Sequence, residues 1–68
     1  MGRMDIVPAS TKIRASRVRF IDTDRLRRRH AWLMANKARL ARESDGRKRM
    51  RDVARELLSI EAELDRRA

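Results

Sequence analysis

Two apolar stripes, set at equal distances from one turn signal, constrain this chain more than any other feature of its sequence. In the second half Met50, Val53, Leu57, Ile60 and Leu64 recur at alternating spacings of three and four, which is a helical and not a strand period. In the first half Leu26, Leu33 and Leu40 fall on one line, with Met34 and Ala41 beside it. Between them lies Ser44-Asp45-Gly46. If the chain reverses at Asp45, Leu40 meets Met50, Leu33 meets Leu57 and Leu26 meets Leu64. One antiparallel register therefore joins both stripes. The sequence predicts an all-α fold: an antiparallel two-helix hairpin, with helices over about 23–43 and 46–66. A continuous helix is the rival reading, since one Gly costs only about 1 kcal/mol relative to Ala. The stripes argue against it, because extending the Leu26-Leu33-Leu40 line by seven reaches Arg47 and the second stripe starts on a new phase.

Asp22-Thr23-Asp24 supplies a helix start, since each of the three can cap free N–H groups at the positive end of the helix dipole. Gly46 is the first break after it, and Ser44 or Asp45 can cap the second helix. The hairpin accounts for residues 22–68. Residues 1–21 form a separate, flexible basic N-terminal arm. Within it Lys12, Arg14, Arg17 and Arg19 interleave with Ile13, Ala15, Val18 and Phe20, and the phase slip between Ala15 and Val18 leaves a short strand over 17–21. The arm either lies along a phosphate backbone or packs Val18, Phe20 and Ile21 on the hairpin.

A chain of 68 residues buries a small share of its surface, and it has no cysteine to staple it. Completion by a second hairpin, a larger protein or a nucleic acid is the expectation. A homo-oligomer would use the residues of the two stripes, Leu26, Leu33, Leu40, Met50, Val53, Leu57, Ile60 and Leu64, as hairpin or oligomer core. No apolar run approaches the length of a membrane span, and the first residues lack the apolar core of a signal peptide. The expected setting is cytoplasmic, without a membrane partner.

The formal net charge of +9 favours a polyanionic partner. Its placement is more telling than its size. Arg47, Lys48, Arg49 and Arg51 crowd the start of the second helix, where the dipole disfavours cations. Glu61, Glu63 and Asp65 sit towards its end, where it disfavours anions. The hairpin register explains the acidic end, placing Arg29 near Glu61 and Arg25 near Asp65. It offers nothing to the tip, where Lys37, Arg39 and Arg42 join the other four against Glu43, Asp45 and Asp52. The free N–H groups after Gly46 add a phosphate site, with Gly46 allowing close approach. Trp32 lies off the leucine stripe among arginines, placed to stack on a base, to anchor an interface, or to pack under the arm.

Chemistry-bearing constellations are missing. His30 is the one histidine, so a metal site is not expected. The serines lack a base at a readable spacing, and no Gly-rich nucleotide loop occurs. The sequence predicts a non-enzyme with no cofactor and no small-molecule substrate. The leading expectation is a nucleic-acid-binding protein, for DNA or RNA, that contacts phosphates through Arg47, Lys48, Arg49 and Arg51. Lys37, Arg39, Arg42 and the arm at Lys12, Arg14, Arg17 and Arg19 would assist. The second is an interaction or assembly protein, coiled-coil-like, that docks on an acidic protein surface or forms a four-helix bundle. A third rests on a resemblance. A short basic strand followed by two helices resembles the ribbon–helix–helix repressors and antitoxins over residues 17–64. That resemblance implies Arg17, Arg19 and Ile21 as outward strand positions reading the major groove. The sequence departs from it where Arg47 follows Gly46, a place for a capping Ser or Thr.

Overall fold

A computed structural model describes residues 7–43 and 45–68. It contains a short 3-10 helix, Ala15–Phe20, and two long helices, α1 (Thr23–Ala41) and α2 (Gly46–Arg67). The long helices pack against each other as the stripes require. Leu26, Leu33, Leu40, Val53, Leu57 and Ile60 are buried, and Met50 and Leu64 are partly buried against them. Leu26 and Ile60 have no exposed surface at all. Each such side chain contributes about 1.5–3 kcal/mol through burial.

Helix α1 starts where the acidic triplet predicts, and Asp22 is the residue that caps it, its carboxylate accepting from the Arg25 amide at 3.0 Å. It ends at Ala41, two residues short of the sequence expectation, with the Arg42 and Glu43 amides bonded back to the Arg39 and Leu40 carbonyls. Helix α2 follows Asp45, whose side chain makes no capping bond. Ser44, the other candidate cap, lies outside the described residues. At Gly46 an added Cβ would collide with the Ala41 carbonyl oxygen. The missing side chain is therefore required by the hairpin's own closure, and the close approach at this point is made by the chain itself.

The strand expected over 17–21 is not formed. Arg17 to Phe20 belong to the 3-10 helix and Ile21 caps its end, held by Arg17 N–H to Arg14 C=O and Ile21 N–H to Val18 C=O. Among the described residues there is no strand for it to pair with, and an unpaired strand would leave its backbone groups without partners. The 3-10 turn satisfies them locally. Its period of three also sets Val18 and Ile21 on one face, and both pack against the core. Phe20 points away and is 73% exposed. Without a strand, the ribbon–helix–helix resemblance loses the element that would read a groove.

The arm is also not free over its described part. Ile13 is 2% exposed and belongs to the core cluster. At the base of the hairpin the Arg67 guanidinium donates to Thr23 Oγ1 and to the Val18 and Arg19 carbonyls. Residues 7–21 thus form a third layer along one side of the two-helix seam. Residues 1–6 lie outside the described part.

Candidate nucleic-acid interface

Among the described residues the carboxylates Asp24, Glu61 and Glu63 at the base of the hairpin are ion-paired, although Arg17, Arg19, Arg25 and Arg27 there are not. At the base, Glu63 is clasped by Arg66 and by Arg67, the latter at 2.7 Å. The hydrogen bonds from Arg66 and Arg67 hold the Glu63 carboxyl down to about 2, well below its usual range. His30 Nε2 lies 2.8 Å from Glu61 Oε2, and Arg28 pairs with Asp24 one turn away at 3.0 Å. The His30–Glu61 contact fits the predicted register, shifted by one position from the Arg29–Glu61 pair that the sequence suggests.

Arg29 goes elsewhere. It turns to the side covered by the N-terminal segment and pairs with Glu56 in two parallel bonds, Nε to Oε2 at 2.6 Å and Nη2 to Oε1 at 2.9 Å. Both side chains are buried, 7% and 4% exposed. The Ile13 amide donates to Glu56 Oε2 at 2.9 Å, and Arg29 Nη1 donates to the Ala9 carbonyl at 3.0 Å. The guanidinium also stacks 4.9 Å from the centre of the Trp32 ring. This cluster ties α1, α2 and the N-terminal segment together. It also fixes Trp32, which is half-buried against the core with one face taken by Arg29.

The tip is different. Lys37, Arg39, Arg42, Arg47, Lys48, Arg49 and Arg51 are all exposed. Among the described residues the one ion pair there is Arg49 with Glu43, at 3.4 Å across the turn. Arg39 donates to the neutral Asn36 side chain at 2.7 Å. The other five have no carboxylate within ion-pair distance among the described residues. Like charges gathered this way repel, and the start of α2 adds its positive dipole end to them.

Lys12 stands between the tip and the rest of the N-terminal segment: it lines one shallow groove with Arg29, Trp32, Arg49 and Asp52 and another with Ile13, Arg14, Arg17 and Arg25. Arg14, Arg17 and Arg19 are exposed, and the Arg19 carbonyl meets Arg67 at the base.

Sequence reasoning missed Ile13, Arg29 and Glu56. Their signal was weak, being one Ile in a basic segment and two charges among many. No metal-binding group of three or more His, Cys, Asp or Glu occurs among the described residues, and none of the helices is long and apolar enough to cross a membrane. No protein-family model, no characterised protein and no solved structure matches this chain.

Proposed function

We propose that this protein is a non-enzymatic nucleic-acid-binding hairpin that holds phosphates at its tip. The observation that supports this is the polarised pairing of charge. Asp24, Glu61 and Glu63 are each paired with a cation at the base, whereas among the described residues the seven exposed cations at the tip make one ion pair and face three acidic residues. Phosphate oxygens would relieve that repulsion and meet the free N–H groups of the first turn of α2. Contacts of this kind position a protein on a backbone more than they read a sequence. Lys12 and Arg49 extend the same surface into the groove beside Trp32.

The test is a titration of Trp32 fluorescence with a generic duplex and a generic single strand, at several salt concentrations. Binding should weaken steeply with salt. Replacing Arg47, Lys48, Arg49 and Arg51 together with Gln should flatten the log–log slope by about 3–4 on duplex. Affinity and slope that survive the four replacements would refute the assignment of the tip. A second reading, an assembly protein, is favoured by the exposed apolar side chains of Met34 and Leu58, which the hairpin leaves uncovered.

A further inference from the structure

The stripe predicted to drive a four-helix bundle is consumed inside the hairpin, since Val53, Leu57 and Ile60 are buried against α1. Any association between copies must use another face. Such a face exists on α2. Arg47, Arg51, Ala54, Leu58, Glu61 and Asp65 recur at spacings of four, three, four, three and four, and all six are exposed. They form a second heptad stripe, turned about 100° from the buried one, on the side of the seam opposite the docked N-terminal segment. Met34 of α1 lies on that same side, 51% exposed, and Leu58 is 67% exposed.

The order of residues along this stripe is basic, basic, apolar, apolar, acidic, acidic, and it is symmetric about Glu56. Arg47 and Asp65 stand nine residues either side of that centre, Arg51 and Glu61 five, and Ala54 and Leu58 two. We propose that α2 pairs with α2 of a second copy of this chain in antiparallel orientation through this stripe, making a two-fold dimer of hairpins. In that arrangement Arg47 meets Asp65, Arg51 meets Glu61 and Leu58 packs on Ala54, each contact occurring twice, as an isologous interface requires. A parallel pairing would set cations on cations and carboxylates on carboxylates, so the same pattern selects the orientation.

Two features of the chain fit this occupant. Among the described residues Arg47, Arg51 and Asp65 have no ion-pair partner, and Glu61 keeps half of its side-chain surface open beside His30. The charge order along α2 also opposes its own dipole, and an antiparallel neighbour brings the acidic end of one helix to the basic end of the other. The dimer modifies the phosphate reading: it pairs Arg47 and Arg51 with carboxylates and leaves Lys48 and Arg49, on other faces of α2, to an outside anion, so the four replacements would then flatten the salt slope by about 2 per protomer.

The experiment is sedimentation equilibrium on nucleic-acid-free protein, over micromolar to hundreds of micromolar, with two charge-reversed variants. One is Arg47→Glu with Arg51→Glu, and the other is Glu61→Lys with Asp65→Lys. All four positions are exposed, and circular dichroism checks that each variant stays helical. The wild type should dimerise. Each variant alone should have its dimer dissociation constant raised by roughly tenfold or more, since every polar contact becomes repulsive. Mixing the two should restore association as a heterodimer. A wild type that stays monomeric throughout would overturn the proposal. Variants that dimerise as the wild type does, or a mixture that fails to re-associate, would overturn it equally.

Discussion

Replacing Glu56 with Ala should come close to unfolding this protein. Glu56 accepts two bonds from Arg29 and one from the Ile13 amide, with both charged side chains out of water. Its removal strands the Arg29 charge in a buried site, which typically costs about 3–5 kcal/mol. It also leaves the Ile13 N–H without an acceptor, for a further penalty of about 1–3 kcal/mol, not fully additive with the first. A natural domain of this length has a total stability of roughly 3–10 kcal/mol. The expected outcome is therefore a protein largely unfolded without stabilising solutes. The assay is urea denaturation followed by helical circular dichroism and by Trp32 emission, which reports on the Arg29 stack directly. The double replacement Arg29→Met with Glu56→Leu separates charge from packing. It removes both charges and should recover much of the loss, leaving the cost of the Ile13 N–H and the Ala9 C=O. A loss below about 1 kcal/mol for Glu56→Ala would refute the reasoning, because that is an ordinary surface value. So would a double variant as unstable as the single one.

Three further outcomes can be checked by the same denaturation assay. Ile13→Ala should cost about 2–5 kcal/mol if the N-terminal segment is part of the core. A loss near zero would show that this segment docks weakly. Gly46→Ala should destabilise by about 1–3 kcal/mol, because the collision with the Ala41 carbonyl outweighs the better helix propensity of Ala. A stabilised variant would contradict the tight closure of the tip. The Glu63 carboxyl titrates near 2 when folded, against an ordinary value of 4.5. Protonation thus favours the unfolded chain: the contribution is fully present above about pH 4.5 and is lost as pH falls towards 2. The melting temperature of Glu63→Gln should fall less steeply across that window than that of the wild type.

The hairpin was legible because its signal is redundant. Leu26, Leu33 and Leu40 answer Leu64, Leu57 and Met50 around one turn, and a shift of register would spoil every pair at once. The N-terminal segment was not, because alternation over so few residues is ambiguous. Arg17-Val18-Arg19-Phe20 satisfies a period of two, and Val18 with Ile21 satisfies a period of three. The choice fell to tertiary context, in which no strand partner is at hand among the described residues and the flank of α2 is. The buried Arg29–Glu56 pair was hidden for another reason. In a chain with 29 charged residues, nothing local distinguishes the two that leave water. Each lies just off its apolar stripe, on the side that the N-terminal segment happens to cover. Trp32 lies off the leucine stripe with Arg29 over its ring, and Ser10 and Lys12 of the N-terminal segment line the same groove.

The reversed charge order of α2 has two halves with separate resolutions. The acidic half is answered within the chain. Arg66 and Arg67, which suit the negative end of the dipole, hold Glu63, and His30 holds Glu61. Among the described residues the basic half is not answered there, since of its cations Arg49 alone reaches a carboxylate of the turn. A misplaced exposed charge costs only a few tenths of a kcal/mol, so the fold tolerates it, but four in one turn and a half cannot be owed to helix stability. The proposed dimer and the proposed phosphate site would each use some of these cations. Their angular positions then divide them. Arg47 and Arg51 share a stripe with Leu58 and with the two carboxylates that mirror them, which suits a second copy. Lys48 points away from that stripe, and Arg49 opens on the groove of Lys12 and Trp32, which suits a phosphate backbone. A dimer built on α2 would carry one such tip at each end, so its two anion sites would lie roughly 20–25 Å apart along the paired helices.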